Sequence, residues 1–299
     1  MFKTFKNIVV FNLVNPLAVE TLTEALEKNH FAGHGSFHYR RSGFTAPTKF
    51  NESLIHKQGD QVLIALKTEE KILPSSVIKH EFDKQVKAEE KQLGKLDAKY
   101  KRNLKDDITL DLLSKAFSRF TTTHAIIDLE LKRIIINTSS QSKAEDFMSI
   151  LRKSIGELAA HSFWFNRHPK AQMTDWVRSN MELEHFTIDD EFEFRSIKIE
   201  GEQDQIVKSK HIEISSAELD DLKATKNVHK LAMTWDDRIS FVLDDALAIK
   251  RLRYLDSLMD EVEETEGEDS RFFADFILIS NSLRELVTNI AEIVIDDAQ

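Results

Sequence analysis

PSSVIKHEFDKQVKAEEKQLGKLDAKY, residues 74–100, decides the architecture, because it predicts a long helix that packs on only one neighbour. Pro74 and the serines after it suit the start of a helix. A core helix has a wide apolar face, whereas this segment has a narrow stripe at near-heptad spacing, with Lys and Glu on its other sides. We predict a partner helix over 106–120, and therefore a helical hairpin that projects from the body. The stripe consists of Ile78, Phe82, Val86, Leu93, Leu96 and Tyr100.

On either side of the hairpin, strand and helix patterns are mixed. Residues 5–14 and 61–69 are rich in β-branched residues and predict strands, and residues 123–129 with 133–139 predict a β-hairpin. Residues 17–28 predict a helix with one apolar face. Because strands and helices do not alternate regularly, we predict an α+β fold with mixed antiparallel sheets and helices.

The second half of the chain continues this mixture. Ser142 and Glu145 form a capping-box pattern that predicts a helix over 143–158. Asp236 and Asp237 separate two strand patterns and predict a two-residue hairpin loop. Further strands are predicted over 191–200 and 205–214, and a closing helix over 281–295.

Composition narrows the classes of function. The 299 residues include no Cys, which excludes disulfides, thiol nucleophiles and Cys-ligated metals. There are only eight Gly and no phosphate-loop motif, so a nucleotide-driven motor is not expected. No apolar run is long enough for a membrane span, and the first residues do not resemble a signal peptide. We therefore expect a cytoplasmic protein with no membrane partner.

The net charge of −10 is unevenly distributed. Residues 254–299 contain two basic and thirteen acidic residues, which leaves 39 basic and 38 acidic residues in the rest of the chain. The body is therefore nearly neutral and has enough cations for a basic face. We interpret the acidic run at 256–269 as a solvated helix or loop.

Two motifs raise the question of metal chemistry. His30, His34 and His38 are spaced by four, but Gly33 and Gly35 interrupt them, so we interpret them as histidines of a surface loop. Asp128, Glu130 and Lys132 form a D-x-E-x-K pattern, which Mg²⁺-dependent nucleases use to hold the metal and polarise water. The alternative for this second motif is a solvated edge with alternating charges.

Basic residues on rigid elements indicate phosphate binding more strongly, since a phosphate backbone needs little else when sequence is not read. Lys208 and Lys210 alternate along one strand and would point to the same side. Phe117 and Phe120, at the end of the projecting hairpin, either pack within it or anchor a self-association surface. The candidate cations are Lys67, Lys71, Arg119, Lys132, Arg133, Lys208, Lys210, Lys250, Arg251 and Arg253.

Several segments together resemble the recombination-associated protein RdgC family of bacteria. The most specific lie within 67–120 and include KTEEKILPSSVIK (67–79) and KAFSRF (115–120). Other matching segments are KAEDFMSILRKSIGEL (143–158), WVRS (176–179), KLAMTWDDRISFVL (230–243) and FFADFILI (272–279).

The resemblance implies a horseshoe-like subunit and a ring-shaped homodimer whose positively charged hole encircles single- or double-stranded DNA without sequence preference. It also implies restraint of RecA-promoted recombination, association with the nucleoid, no catalytic activity and no cofactor. Phe117 would lie at the contact between the projecting tips, and Lys208 and Lys210 near the DNA. His211 stands where other members can carry a basic residue.

We accordingly expect three domains: a central α+β domain (1–73 plus 121–170), a projecting helical tip domain (74–120) and a C-terminal base domain (171–299). Two other functions stay open at this point. One is a Mg²⁺-dependent nuclease that uses Asp128, Glu130 and Lys132. The other is a protein-interaction module that acts directly on the recombinase.

Overall fold

A computed structural model describes residues 5–33, 38–163, 169–179, 181–196, 206–210, 226–245, 248–261 and 267–294. The elements in chain order are β1 (Ile8–Leu13), α1 (Val19–Lys28), β2 (Arg40–Thr45), β3 (Ile55–Gln58), β4 (Gln61–Lys71), α2 (Ser75–Leu93), α3 (Ala98–Lys115), β5 (Ser118–Asp128), β6 (Arg133–Asn137), α4 (Gln141–Ile155), β7 (Ala160–Ser162), α5 (Pro169–Ser179), β8 (Phe186–Ser196), β9 (Ile206–Lys210), β10 (Lys226–Trp235), β11 (Ile239–Asp244), β12 (Ala248–Tyr254), α6 (Asp256–Met259) and α7 (Glu268–Ile293).

The twelve strands form one large sheet in which every paired strand is antiparallel to its neighbour. Its order is β2-β4-β5-β6-β1-β12-β11-β10-β8-β9, with β3 beside β4 and β7 beside β1. The prediction of an α+β fold with antiparallel pairing is confirmed. The two halves of the sheet meet where β1 pairs with β12, through Ile8–Ile249 and Val9–Ala248. The sheet thus crosses the domain boundary predicted at residue 171, and the three-domain division stays a prediction.

Alternation along β1 explains why the core has two layers. Ile8 and Val10 point to one face of the sheet, and Val9, Phe11 and Leu13 to the other, as the period of two in a strand requires. Helices α1 and α4 cover the second face, and α5 and α7 cover the first. Because both faces are buried here, β1 is an almost uninterrupted apolar run.

The half of the sheet built from β8 to β12 is covered differently. Its apolar residues, among them Phe194, Leu231 and Phe241, belong to the core beneath α5 and α7. The side chains on the other side of these five strands contribute only one described residue, Ala248, to the core beneath α1 and α4. We call this second side of β8–β12 the open sheet face.

The projecting hairpin exists, but its helices differ from the predicted ones. The first helix does not run to Tyr100: it ends at Leu93, because Gly94 takes a left-handed conformation with a φ of 78°. The second begins at Ala98, where the carboxylate of Asp97 accepts the Tyr100 N–H at 2.7 Å. It ends at Lys115, so Phe120 lies in β5 rather than at the end of a helix.

Other predicted boundaries also move. The helix after β6 is capped by Ser140, whose hydroxyl accepts the Lys143 N–H at 3.3 Å, so the predicted capping box at Ser142 is wrong. The closing helix begins at Glu268 instead of 281, because apolar residues at helical spacing extend its buried face toward the N-terminus. A β-hairpin is present at Asp236 and Asp237, which have φ values of 43° and 53°, but the predicted two-residue loop is wrong: Trp235 pairs with Ile239, so the loop has three residues and also includes Arg238.

Candidate nucleic-acid interface

The open sheet face carries a row of alternating charges across five strands. In the strand register, Lys208 of β9 lies opposite Glu193 of β8, and Glu193 lies opposite Lys230 of β10. Lys230 in turn lies opposite Asp244 of β11, whose carboxylate pairs with Lys250 of β12 at 2.5 Å. The row therefore begins and ends with a lysine.

Glu193 is the centre of this row and is buried beneath three cations. Its carboxylate lies 2.8 Å from Lys230 Nζ, 2.9 Å from Arg195 Nη2 and 3.6 Å from Lys208 Nζ. Burial alone would raise the pKa of Glu193, but the hydrogen bonds from Lys230 and Arg195 and the nearby charges outweigh it and lower the pKa to about 2. The carboxylate thus stays ionised and holds three cations in place on the sheet.

A second group of cations follows along β12. A β-bulge places Arg251 in a left-handed conformation with a φ of 55°, and its guanidinium contacts Glu191 at 2.6 Å. Arg253 is exposed, and within the described part of the chain no carboxylate pairs with it. Three carboxylates of this face, Glu191, Glu193 and Asp244, therefore pair with five cations, and Arg253 adds a sixth.

Beside these cations the face has an open cleft of about 470 Å³, lined in part by Arg251 and Arg253. Asp189 and Asp190 line the same cleft, so its charge is mixed. Burial raises the pKa of Asp189, although the Thr234 hydroxyl donates to its carboxylate at 3.0 Å. The cation surplus of the face therefore lies along the row from Lys208 to Lys250 and along β12 rather than in the floor of the cleft.

Three predicted cations lie in the other half of the sheet. Lys67 Nζ lies over the rings of Phe31 and Phe120, at 4.9 and 5.1 Å from their centroids. Lys71 is nearly buried and donates to the carbonyl of Ala116 at 3.3 Å. Arg119 is exposed and pairs with Glu70 at 2.6 Å.

Two further predicted cations, Lys132 and Arg133, lie at the β5–β6 turn and do not belong to the open sheet face. Lys132 is half-buried and has a φ of 54°. Arg133 donates to the Thr288 hydroxyl at 2.7 Å and lies over the ring of Phe163, so it connects the sheet with α7. The structure thus brings Lys208, Lys250, Arg251 and Arg253 together, and places Lys71 and Arg133 in structural contacts.

Three residues of the sequence analysis, Lys210, His211 and His34, fall partly or wholly outside the described residues. Lys210 lies opposite Glu191 in the β8–β9 ladder. His211 and His34 lie outside the described residues. Among the described residues, no three His, Asp or Glu side chains are grouped as a metal site would require.

The D-x-E-x-K motif does not form the arrangement expected of a nuclease. Asp128 ends β5 and is buried, and its Oδ2 accepts Arg284 Nε at 2.5 Å while its Oδ1 accepts the Leu131 N–H at 2.8 Å. Glu130 lies in the turn and accepts Arg284 Nη1 at 3.0 Å. The prediction that these residues alternate on one strand is therefore wrong. The turn places both carboxylates on one arginine, so each is held in an ion pair with Arg284.

The two phenylalanines beside the hairpin have different surroundings. Phe117 is 85% exposed, and among the described residues only its backbone is engaged, since its carbonyl accepts the Ile72 N–H at 2.8 Å. Phe120 is half-exposed and meets Phe31 edge to face at 6.4 Å between ring centroids. An exposed ring of this size at the base of a projecting element suits a contact with another molecule.

Sequence reasoning missed Arg195 and Lys230, which share the open sheet face with Lys208. Both could have been found from period-two alternation, because each stands beside a core residue, Phe194 and Leu231. The carboxylates that hold them were not foreseeable, since the contacts with Glu193 depend on the register of three strands.

The fold and this face define the class: a mixed α+β protein on one large antiparallel sheet, with a cation-rich sheet face and a projecting helical hairpin. The family model described as "RdgC: Putative exonuclease, RdgC" matches residues 1–296, and the chain belongs to this RdgC family.

Curated relatives carry the name Recombination-associated protein RdgC. The protein from Proteus mirabilis (strain HI4320) is 34% identical over 302 residues, which cover 99% of each chain. The one from Psychromonas ingrahamii is 36% identical over 290 residues and 95% of each chain. The one from Yersinia pestis (strain Pestoides F) is 35% identical over 302 residues and 99% of each chain. The resemblance inferred from sequence segments is confirmed at the level of the family.

Proposed function

We propose that this protein is a DNA-binding protein without sequence preference, which forms a ring-shaped homodimer of horseshoe-like subunits, encircles DNA and limits the access of RecA to it. It would work in the cytoplasm at the nucleoid. Membership of a recombination-associated family supports the process, and the cation-rich open sheet face supports the ligand. No helix in the described ranges is long and apolar enough to cross a membrane.

The observation that carries the proposal is the row of cations held by Glu193, Asp244 and Glu191. Phosphates of any sequence present the same charge, so binding without sequence preference needs lysines and arginines in fixed positions and no base-reading element. The paired carboxylates fix those positions, while Lys208 keeps most of its side chain exposed. The proposed dimer contact is Phe117, because its ring is the most exposed of the large apolar side chains in the described residues.

The test is binding to fluorescent duplex and single-stranded DNA of unrelated sequences over a series of salt concentrations, with particle mass measured in parallel. A dimer whose binding is steeply salt-dependent and alike for all sequences is expected. No binding at low salt would overturn the proposal and favour a module that contacts the recombinase directly. That module would inhibit strand exchange even when DNA is saturating.

Lys208→Ala combined with Lys210→Ala should reduce the salt slope by up to about two, at roughly 0.9 per phosphate contact. The matched control is Lys28→Ala with Lys57→Ala, which removes two exposed lysines from other elements. An unchanged slope in the Lys208/Lys210 variant, or an equal change in the control, would remove this strand from the interface.

The family description also names an exonuclease, and this second candidate has its own assay. Linear and supercoiled DNA are incubated with the protein and Mg²⁺, and nucleotide release and nicking are measured. Because Arg284 holds both Asp128 and Glu130, we propose that these carboxylates do not act on DNA. Cleavage that disappears in Asp128→Asn would contradict this.

A further inference from the structure

Helix α7 carries a second stripe of residues beside the face that it buries. Its buried face, which includes Phe276, Leu283 and Val287, belongs to the core on the first face of the sheet. Next to this face lies an open groove of about 470 Å³, which is also lined by Arg238 and Glu261. We call it the α7 groove. The α7 residues that line it follow the three- and four-residue spacing of one helix side: Ala274, Ile277, Leu278, Asn281, Ser282 and Glu285.

The middle of the α7 groove is apolar. Ile277 is 40% exposed, and the half-buried Leu278 beside it packs against the core. The hydroxyl of Ser282 donates to the Leu278 carbonyl at 2.8 Å, so its hydrogen bond is made within the helix. An apolar side chain that enters beside Ile277 would therefore bury apolar surface without leaving this hydroxyl unpaired.

The opposite wall of the α7 groove is Arg238, in the loop between β10 and β11. Its guanidinium lies over the ring of Trp235, at 5.7 Å from the centroid. It donates to Glu261 at 2.7 Å and lies 4.0 Å from Glu285. The side chains of these two carboxylates are still 48% and 57% exposed. The wall is thus held in place, and both carboxylates stay accessible to a second cation.

The surroundings of the α7 groove are acidic. Glu261 and Glu285 outnumber Arg238, and residues 260–267, which join α6 to α7, include five acidic residues and no basic one. A twofold contact between two copies at this groove would bring like charges together, and DNA phosphates would meet the same repulsion. The charge therefore favours a cationic partner.

We propose that the α7 groove is a docking site for a basic amphipathic helix of a partner protein. Apolar residues of that helix would contact Ile277, and lysines or arginines beside them would pair with Glu261 and Glu285. The stripe from Ala274 to Glu285 extends about 16 Å, at 1.5 Å per residue, which is the length of about three helical turns.

This docking site does not depend on the proposed function. Helix α7 covers the first face of the sheet, whereas the cations of the open sheet face lie on the other. A partner bound in the α7 groove would therefore leave the open sheet face free.

The test selects peptides on the immobilised whole chain from a displayed library of helices whose apolar and charged positions are randomised. The enriched peptides should have apolar residues at i, i+3 or i+4, and i+7, with Lys or Arg beside them. No enrichment, or enriched peptides that are acidic or lack this spacing, would overturn the proposal.

Ile277→Glu tests whether an enriched peptide binds in the α7 groove. Fluorescence anisotropy of the labelled synthetic peptide should show affinity about tenfold weaker or more, because an apolar contact is lost. Leu110→Glu, at a 46% exposed residue of α3, is the matched control and should bind the peptide like the unmodified protein. A scrambled peptide of the same composition should bind about tenfold more weakly. Equal binding of the scrambled peptide, or an unchanged affinity in Ile277→Glu, would contradict docking in this groove.

Glu261→Gln with Glu285→Gln tests the charge, and it leaves the apolar core intact should Ile277→Glu fail to fold. Peptide affinity should fall about three- to tenfold at 0.05 M salt, and the difference should shrink at 0.5 M salt, where charges are screened. The matched control is Glu20→Gln with Glu24→Gln, which removes two exposed carboxylates of α1. A double variant that binds the peptide as tightly as this control would remove the two carboxylates from the site and overturn the proposal.

Particle mass separates a partner protein from a second copy of this chain. Ile277→Glu should keep the mass of the unmodified protein, since the proposed occupant is a different molecule. A lower mass for this variant, with the mass of Leu110→Glu unchanged, would assign the α7 groove to a contact between copies and overturn the proposal.

Discussion

At the scale of single residues, Glu193 is the side chain on which the open sheet face depends. It holds Lys208 of β9, Lys230 of β10 and Arg195 of its own strand β8 through contacts of 2.8 to 3.6 Å. A buried carboxylate with three cationic neighbours stabilises the fold only while it is ionised.

Glu193→Gln should therefore reduce the free energy of unfolding at pH 7 by roughly 1–3 kcal/mol. The folded pKa of about 2 is below the ordinary value of 4.5, so this stabilisation is present above about pH 4.5 and is lost as the pH falls toward 2. Thermal unfolding of both proteins between pH 7 and pH 3 measures it. The difference in melting temperature should shrink toward low pH.

DNA binding provides the control for this variant. Because the change removes a negative charge from the face, affinity for DNA should not fall, whereas Lys208→Ala should weaken binding with little effect on stability. A Glu193→Gln protein of unchanged stability at pH 7 would contradict the stabilising role of this carboxylate.

At the scale of elements, Arg284 connects α7 to the β5–β6 turn. Its guanidinium contacts both Asp128 and Glu130. In addition, Arg133 of the same turn donates a hydrogen bond to the hydroxyl of Thr288 in α7. The closing helix is thus attached to the sheet through polar contacts as well as through its apolar face.

Arg284→Ala should destabilise the protein by about 3–5 kcal/mol, because it leaves Asp128 buried without its cation. Denaturant unfolding measures the loss. Asp128→Asn in the same background should recover part of it, since the uncompensated charge is then removed. If Arg284→Ala unfolds like the unmodified protein, the ion pair has no structural role.

At the scale of the whole molecule, the proposed ring depends on a contact between two copies at Phe117. Phe117→Ser should lower the particle mass at low protein concentration and speed dissociation from DNA, because a ring that opens releases its DNA. The body should keep its melting temperature, since the side chain is 85% exposed. Ile277→Ser, at a 40% exposed residue of α7, is the matched control. An unchanged mass together with an unchanged dissociation rate would place the dimer contact elsewhere.

The sequence by itself determined the α+β class, the projecting hairpin and the family. These follow from local patterns: the narrow apolar stripe after Pro74, the apolar run of β1 and the segments around 67–79 and 115–120. Helix boundaries were less predictable. The apolar stripe continues past Gly94, whereas the left-handed backbone there ends the helix.

Only the tertiary structure decided which charges act together. Lys208, Glu193, Lys230, Asp244 and Lys250 lie on five strands, and their order across the sheet does not follow their order in the chain. A shift of one residue in any of these registers would move a charge to the other face. The same reason explains Asp128 and Glu130: their spacing resembles a metal site, but α7, from the far end of the chain, supplies the arginine that pairs with both of them.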